Sequence, residues 1–408
     1  MRLINTLAIL LRVYITYLLS DIARAKNNAS RQFLENLLQG VDARIRPPNA
    51  DNGTVVVKVN LYVLSLSSIS AINMEFTTDI YFREFWNDPR LIYADGPPHI
   101  SLSSRFIDQI WTPDLYFPNE KSAKLHGVTM PNRLLRIFPD GNVVFSIRMT
   151  LVFSCPMEFE AFPMDTQTCA IKIESYAYET HELQLAWQDP PVEIDDELEL
   201  PQFELMEINN VTCHKQYKTT GKFPCLKVTF SLYRRLGSFL LQVYIPSTLI
   251  IIVSCISFWI NMDAVAARIS LGVTTVLTMT THLTGLTNSV PKVSYPKAID
   301  IWMSMAMLFV FTALLEYAFV NAISRRRSKH DAYKKTDKLD ESIEMTAAPG
   351  TQTCVDGVQN VPKEPAKRVT NYQKVAHRID QLSRYIFPSI FLIFNIVYWP
   401  YYGAMRER

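Results

Sequence analysis

The sequence predicts a multidomain membrane protein, in which an all-β sandwich over residues 26–237 precedes a bundle of four membrane-spanning helices. Three observations support this prediction. Strand-like alternation fills the chain before residue 235, four nearly uncharged stretches follow it, and two close cysteine pairs lie in the first part. Of the residues, 20% are charged and 12% are aromatic, which suits a chain that lies partly in a membrane.

Residues 1–25 are predicted to be a cleaved signal peptide. The run from Leu3 to Leu19 carries a single charge, and the small-x-small pattern Ala23-Arg24-Ala25 follows it. Glycosylation tripeptides begin at Asn28, Asn52 and Asn210, all ahead of the first long apolar stretch. The domain over residues 26–237 is therefore expected to be extracellular.

Strand patterns run through this extracellular domain. Val55–Val63 and Asn142–Val152 mix β-branched and polar residues in rough alternation. Turn signals such as Asn52-Gly53 and Pro139-Asp140-Gly141 separate such runs. Two packed antiparallel sheets are the natural assembly for strands of this kind.

Four of the six cysteines form two close pairs, Cys155 with Cys169 and Cys213 with Cys225. Both pairs are expected to be disulfides of an oxidising compartment. The first pair encloses the apolar tip Phe162-Pro163-Met164-Asp165, and an exposed apolar cluster usually contacts an apolar partner. The membrane domain is the obvious partner; an ordinary structural disulfide is the alternative.

Four stretches have the roughly twenty apolar residues that a helix needs to cross a bilayer. They are Ser238–Ile260, Ile269–Pro291, Ile301–Val320 and Tyr385–Ala404. The first three form a membrane block over residues 238–323, and the last spans 384–404. Four crossings after a cleaved signal place both termini outside the cell.

Residues 324–383 are predicted to be a cytoplasmic linker. Residues 328–366 are polar and lack a helical stripe, which is typical of disorder. From Arg368 to Arg384, apolar residues recur at helical spacing among basic ones, which predicts an amphipathic helix.

The second span, over about residues 268–290, is too rich in hydroxyls for a lipid-facing helix. At helical spacing one stripe is shared by Ser270, Thr274, Leu277, Thr281, Thr284 and Asn288. Polar groups at membrane depth are costly unless they face protein or water. We interpret the stripe as a water-facing wall that Leu277 gates by dewetting. The alternative is a bundled helix whose threonines bond back to its own carbonyls.

One helix cannot enclose a pore, so several subunits must form a ring. Arg268 begins the pore helix, and no acidic residue lies between Val265 and Val290. Arginines without carboxylates favour an anion, so chloride is the expected permeant ion. The alternative role for Arg268 is interfacial anchoring by a snorkelling cation.

Other classes of function find little support. The net charge of +2 gives no case for nucleic-acid binding. The chain shows no Ser–His–Asp pattern, no metal-ligand spacing and no phosphate loop, and its seven histidines are scattered. Neither an enzyme nor a bound cofactor or metal is expected.

From about Phe33 to the end, apart from the linker, the sequence resembles the pentameric Cys-loop receptors, specifically their inhibitory anion-channel branch. The motifs that carry the resemblance are Trp111-Thr-Pro-Asp114, the Cys155–Cys169 loop, Leu271–Thr281, Pro291–Tyr295 and Lys297–Asp300. The second cysteine pair is similar to that of glycine- and glutamate-gated members. The resemblance implies five like subunits, identical or mixed, in the plasma membrane, at a postsynaptic site.

The resemblance also implies a transmitter site between neighbouring subunits. One face would supply an aromatic cage for an ammonium group, with a hydroxyl beside it, from Tyr116, Tyr176, Tyr217, Thr220 and Phe223. The other would bind a carboxylate through Arg83, because guanidinium forks match carboxylates. Tyr81, Ser146 and Arg148 are the further residues expected on this face.

The resemblance leaves the transmitter open. Leu64 stands where nematode-type glutamate channels carry a second arginine, which argues for glycine or GABA. Glutamate would need a second cation from Arg148, Lys218 or Lys222, and the second disulfide argues against GABA. We expect a chloride channel opened by glutamate or glycine; a GABA-gated channel and a cation-selective relative are the alternatives.

At the pore mouth the branch usually has Pro-Ala-Arg, and this chain has Ala266-Ala267-Arg268. A cation-selective relative would carry an acidic residue just before the arginine, where Ala267 stands. The residues that the resemblance implies for coupling the site to the pore are Asp165, Arg235 and Lys292.

Overall fold

The computed structural model describes residues 17, 32–48, 53–94, 96–262, 264–344 and 371–405. Of the predicted signal peptide, only residue 17 is among the described residues. Asn28, Asn52 and Cys354 lie outside the described residues. The chain forms two compact units. One comprises Met1–Met157 and Gln167–Tyr233, and the other comprises Glu158–Thr166 and Arg234–Arg408.

The first unit is the predicted β-sandwich, and the prediction of its fold is confirmed. A short helix, α1, covers residues 32–38. The strands are β1 (Val55–Ser70), β2 (Glu75–Asn87), β3 (Ile100–Leu102), β4 (Leu115–Tyr116), β5 (Glu120–Leu125), β6 (Arg133–Ile137), β7 (Asn142–Ser154), β8 (Thr166–Ser175), β9 (Leu183–Ile194), β10 (Phe203–Tyr217) and β11 (Gly221–Arg234).

One sheet has the strand order β3-β6-β7-β2-β1-β9, with β5 also paired to β7, and the other has the order β10-β11-β8-β4. The alternation seen in the sequence explains why these strands form. In β2 every second residue is buried over the whole strand, because successive side chains point to opposite faces. Leu61, Ile80 and Phe230 are among the fully buried side chains of the core.

The core face of β2 also carries a carboxylate, Glu84, which is 3% exposed. Burial, and secondarily the nearby charge of Asp114, raise the pKa of Glu84 to about 8. Glu84 is therefore protonated in the folded protein at neutral pH.

The second unit contains four long helices. They are α2 (Gly237–Trp259), which includes a π-helical turn at Leu240–Tyr244, then α3 (Val265–Ser289), α4 (Ala298–Glu344) and α5 (Asn371–Met405). Among the described residues, three helical segments are long and apolar enough to cross a membrane: Gly237–Trp259, Ala298–Ile323 and Lys374–Met405. The hydroxyl-rich α3 is less hydrophobic than these three.

An aromatic cluster joins α2, α4 and α5. Trp302 is 2% exposed, and its Nε1 donates to Ser247 Oγ at 2.8 Å. The hydroxyls of Tyr244 and Tyr398 lie 2.9 Å apart, and Tyr398 also donates to the carbonyl of Ala298 at 3.0 Å. The indole N–H and the two hydroxyl groups therefore have hydrogen-bond partners within an apolar cluster, as is usual for buried tryptophan and tyrosine.

The structure differs from the predicted linker. Helix α4 continues without a break from the third span to Glu344, so the expected disorder is wrong over residues 328–344. Residues 345–370 lie outside the described residues. Helix α5 then joins the predicted amphipathic segment and the last span into one helix, with Pro388 and Pro400 inside it.

We predict that Glu84→Gln stabilises the protein increasingly as the pH rises. Unfolded Glu84 ionises near 4.5 and folded Glu84 near 8, so the wild type loses about 1.4 kcal/mol per pH unit between these values. Below 4.5 both states are protonated and this loss is absent. Glutamine cannot ionise, so the Glu84→Gln variant does not lose this part of the free energy of unfolding. Thermal unfolding of the detergent-solubilised chain, measured across this window, should show a midpoint difference that widens toward the alkaline end.

The matched control is Glu120→Gln, because Glu120 is exposed on β5. It should leave the pH dependence of unfolding as in the wild type. Parallel wild-type and Glu84→Gln curves would contradict the assignment of a protonated Glu84.

Candidate ligand site and pore helix

Four aromatic residues predicted for a cation cage come together on the smaller sheet. Tyr116 lies on β4, Tyr176 follows β8, Tyr217 ends β10 and Phe223 lies on β11. The ring centroids of Tyr116 and Tyr176 are 5.5 Å apart, and those of Tyr217 and Phe223 are 5.8 Å apart, both edge to face. Tyr176 is 76% exposed, so one ring face is open to a ligand.

Glu174 anchors this aromatic cluster. Its Oε2 accepts hydrogen bonds from the hydroxyls of Tyr116 at 3.2 Å and Tyr217 at 3.0 Å, and the residue is 4% exposed. Burial, together with this carboxylate, raises the pKa of both tyrosines. Aromatic faces backed by a buried carboxylate attract a desolvated cation.

Two local structures hold the cluster in place. The Trp111 Nε1 donates to the Tyr178 hydroxyl at 3.1 Å, and the Asp114 carboxylate accepts from Ser175 Oγ at 2.8 Å and the Ala177 amide at 2.5 Å. The Cys213–Cys225 disulfide joins β10 to β11 across 4.8 Å between Cα atoms. Thr220 is exposed in the turn between these strands.

A cationic pocket lies on the larger sheet. It is lined by Tyr81 and Arg83 from β2, Ser146 from β7, and Arg133 and Arg136 from β6. Arg83 and Ser146 are cross-strand partners, so their side chains share one face.

Arg83 is held by three neighbouring side chains. Its Nη1 donates to Asn60 Oδ1 at 3.1 Å and to Glu193 Oε1 at 3.0 Å, and its guanidinium lies 5.1 Å from the Tyr62 ring centroid. The side chain remains 30% exposed. Arg83 is thus oriented by its neighbours and still presents donors to the pocket.

Arg148 does not line the cationic pocket. Its Nη2 donates to Asp79 Oδ2 at 2.6 Å, and this hydrogen bond raises the pKa of Arg148. The Arg148 charge is paired with a carboxylate on the adjacent strand, its side chain is 34% exposed, and its predicted ligand contact stays a prediction. Lys218 and Lys222 also lie outside the residues that line this pocket.

The predicted stripe of the pore helix α3 is the exposed side of that helix. Its members Ser270, Thr274, Leu277, Thr281 and Thr284 are all exposed, with Leu277 at 62%. Asn288 lies among residues whose side chains are not described. The opposite side packs closely on α4, because a Cβ added at Gly272 would lie 2.6 Å from Leu314 Cδ1.

The stripe threonines also bond back to their own helix, as the alternative hypothesis expected. Thr274 Oγ1 donates to the Ser270 carbonyl at 2.8 Å, and Thr281 donates to Thr278 at 2.9 Å. These hydroxyl oxygens keep free lone pairs on the exposed side. Internal bonding and a polar exposed face therefore coexist.

Arg268 does not belong to the exposed stripe, which corrects its expected place in the pore wall. Its side chain is 1% exposed and forms an ion pair with Asp380 of α5, with Nη1 at 2.6 Å from Oδ1. The guanidinium also donates to the carbonyls of Phe258 and Ile260. Positions 268, 272, 275 and 279 share the buried side of α3.

The loop between β7 and β8 holds the second buried ion pair. Arg234 Nε and Nη2 donate to the two oxygens of Asp165 at 2.7 and 3.0 Å, and the side chains are 6% and 3% exposed. The predicted pairing of Asp165 with Arg235 is wrong by one position, since Arg235 is exposed. Lys292 is exposed as well, whereas Lys297 pairs with Asp300 at 2.7 Å.

The same loop caps the start of α4. The amides of Ala298 and Ile299 donate to the carbonyls of Glu160 at 2.9 Å and Phe162 at 3.1 Å. These amides belong to the first turn of α4, where backbone N–H groups have no hydrogen-bond partner within the helix. The Phe162 ring packs on Phe239 at 5.2 Å between centroids, so the apolar tip contacts the start of α2.

Several residues of these sites have no signal in the sequence alone. Glu174 lies within the Glu-Ser-Tyr segment but looks like any strand carboxylate. Glu193, Arg234 and Asp380 are far from their ion-pair partners in sequence, and Arg133 and Arg136 are far in sequence from Arg83, with which they line the pocket.

Two family models match the chain. One, described as the neurotransmitter-gated ion-channel ligand binding domain, matches residues 30–236. The other, described as the neurotransmitter-gated ion-channel transmembrane region, matches residues 243–352. Together they cover the β-sandwich and the first three long helices.

We predict that Asp165→Asn and Arg234→Gln each destabilise the protein strongly. Removing one partner leaves the other charge buried without compensation, at a cost of about 3–5 kcal/mol. Thermal unfolding of the solubilised chain and biotinylation of surface protein should both show a loss. Arg235→Gln, at the exposed neighbouring arginine, is the matched control and should behave as the wild type. Equal effects at the two arginines would contradict the assigned pair.

Proposed function

This chain belongs to the neurotransmitter-gated ion-channel family, and we propose that it is a subunit of a chloride channel opened by an extracellular amino acid. Members of the family are receptors and channels rather than enzymes, and they assemble as pentamers in a membrane. The observation that carries the proposal is the pairing of one aromatic cage with one arginine pocket on the same β-sandwich.

The two clusters suit the two ends of an amino acid. The cage of Tyr116, Tyr176, Tyr217 and Phe223 suits an ammonium group, because rings and Glu174 both attract a cation. Arg83 suits a carboxylate, because its donors are oriented and partly exposed. They lie on different sheets, so a ligand that bridges them does so between neighbouring subunits. Glutamate and glycine are the proposed transmitters, with GABA as the alternative.

Chloride is proposed because the pore helix carries no carboxylate. Ala266 and Ala267 are exposed at the start of α3, and the positive end of the helix dipole lies there. The Arg268 charge is paired with Asp380 and contributes less to this field than a free arginine would. A cation-selective channel would need an acidic side chain on the exposed stripe.

In the proposed mechanism, ligand binding draws the β10–β11 hairpin over the cage and shifts a closed–open equilibrium. Strand β11 ends at Arg234, which is held by Asp165. A displacement of β11 would move Arg234, and through the ion pair it would move Asp165 and the loop that caps α4. The loop then moves the helices that surround the pore helix.

We predict that Arg83→Ala raises the half-maximal agonist concentration by about tenfold or more, because a charge-assisted carboxylate contact is lost. Oocytes that express the chain would be tested with glutamate, glycine, GABA and histamine in turn. Surface labelling checks that the variant reaches the membrane. Arg44→Ala, at an exposed arginine, is the control. A dose–response curve that matches the wild type would remove Arg83 from the site.

We predict that Ala267→Glu moves the reversal potential away from that of chloride. The new carboxylate would lie at the exposed start of α3 and repel anions. Ala267→Gln is the matched control, because it adds similar volume without charge and should leave the reversal potential unchanged. Ion-substitution recordings make the comparison. A chloride-like potential in the Glu variant would place the selectivity mouth elsewhere.

A further inference from the structure

A buried ionic cluster joins the start of the pore helix α3 to the last helix, α5. Arg268 and Asp380 form an ion pair, with Nη1 2.6 Å from Oδ1, and their side chains are 1% and 0% exposed. Arg384, one turn further along α5, donates from Nη2 to Asp380 Oδ2 at 3.0 Å. One carboxylate therefore holds two guanidiniums, and a single side chain of α5 decides how the charge of Arg268 is balanced.

The other contacts of Arg268 orient its guanidinium without cancelling its charge. The guanidinium donates to the carbonyls of Phe258 and Ile260, at the end of α2, and lies 5.4 Å from the ring centroid of Tyr317 on α4. Carbonyls and aromatic rings attract a cation but carry no net charge. Among the described residues, Asp380 is the one that brings a carboxylate within ion-pair distance of Arg268. The balance of charge at this point therefore depends on α5.

Arg268 lies close to the exposed side of the pore helix, although its own side chain is buried. Its neighbours Ala267 and Ser270 are both exposed, and Ser270 belongs to the polar stripe. Charges that interact through protein are screened less than charges in water. The electric field at the start of α3 is thus the sum of the helix dipole, the two guanidiniums and the Asp380 carboxylate.

We infer that Asp380 is a positioning residue for ion permeation, which holds Arg268 inside the subunit and cancels much of its field at the start of α3. The inference rests on the proposed chloride channel. Without this carboxylate, the arginine charge would act on the exposed start of the pore helix, and a ring of subunits would repeat it around the pore axis. Anions would then gather at this end, because a cleft lined by one sign of charge concentrates counter-ions. Asp380 thus limits the entry of chloride from this end of the pore.

The test measures single-channel current in membrane patches from oocytes that express the full chain. The predicted topology places the start of α3 at the cytoplasmic end, so current carried by chloride that leaves the cell reports entry there. Asp380→Asn should raise this current by about twofold or more and change the opposite current less. The rise should shrink at higher ionic strength, because salt screens the charge. Asp380→Glu returns the carboxylate and should reverse the effect, and Gln381→Ala, at the exposed next residue, is the control.

A double variant separates this role from a purely structural one. Arg268→Gln removes the cation and leaves Asp380 without its buried partner, so it should lower the current of chloride that leaves the cell. Arg268→Gln combined with Asp380→Asn removes both charges and should return this current toward the wild type. If Arg268 acted as a free cation, Asp380→Asn would leave the current unchanged and the double variant would match Arg268→Gln. Either of these last two results would overturn the inference.

Asp380→Asn leaves a buried arginine without its counter-charge and is expected to lower the number of channels at the surface. Single-channel current does not depend on that number. Where the variant fails to reach the membrane, Arg384→Gln carries the test, because the Arg384 side chain is 23% exposed. Its loss leaves Asp380 with one cation and should lower the same current; an unchanged current would overturn the inference.

The outcomes also separate this inference from the proposed function. A chain that gives no current with glutamate, glycine, GABA or histamine, or a reversal potential that follows sodium, would overturn the proposed chloride channel. A chloride current that Asp380→Asn leaves unchanged would overturn the role of Asp380 alone.

Discussion

The buried ion pair between Asp165 and Arg234 is the constraint on which the loop between β7 and β8 depends. Both side chains are almost fully buried, and the two hydrogen bonds are bidentate. The pair fixes the end of β11 against the loop, and the loop carbonyls cap the start of α4. Neither charge could stay buried alone, so each side chain depends on the other for its place in the structure.

The same principle organises the other charged sites. Glu174 accepts from two tyrosines, Glu193 accepts from Arg83, and Asp380 accepts from Arg268. Each pairing fixes the orientation of the side chains that take part in it. Both Arg83 and Arg268 are paired, and they differ in exposure: the Arg83 side chain is 30% exposed and the Arg268 side chain 1%.

Sequence patterns predicted much of this architecture for identifiable reasons. The alternation in β2 predicted a half-buried strand, and the helical spacing of Ser270, Thr274 and Thr281 predicted their common exposed side. The aromatic residues that the family resemblance predicted for a cage lie close together in the structure, and their role as a ligand cage stays a prediction. One error fell on a charge partner, since Arg235 was expected where Arg234 lies, and another fell on residues 328–344, which are helical instead of disordered.

The sequence by itself determined the local elements, the two disulfides and the faces of the strands and helices, because these follow from periodicity and from neighbours along the chain. Only the tertiary structure decided which charges meet. Asp380 is far from Arg268 along the chain, and Glu193 is far from Arg83, yet each pair lies at hydrogen-bond distance. The reason is physical: the partner of a charged side chain is set by which charges the fold brings within reach, and for the buried Arg268 and Asp380 also by the cost of desolvation, and sequence spacing gives neither.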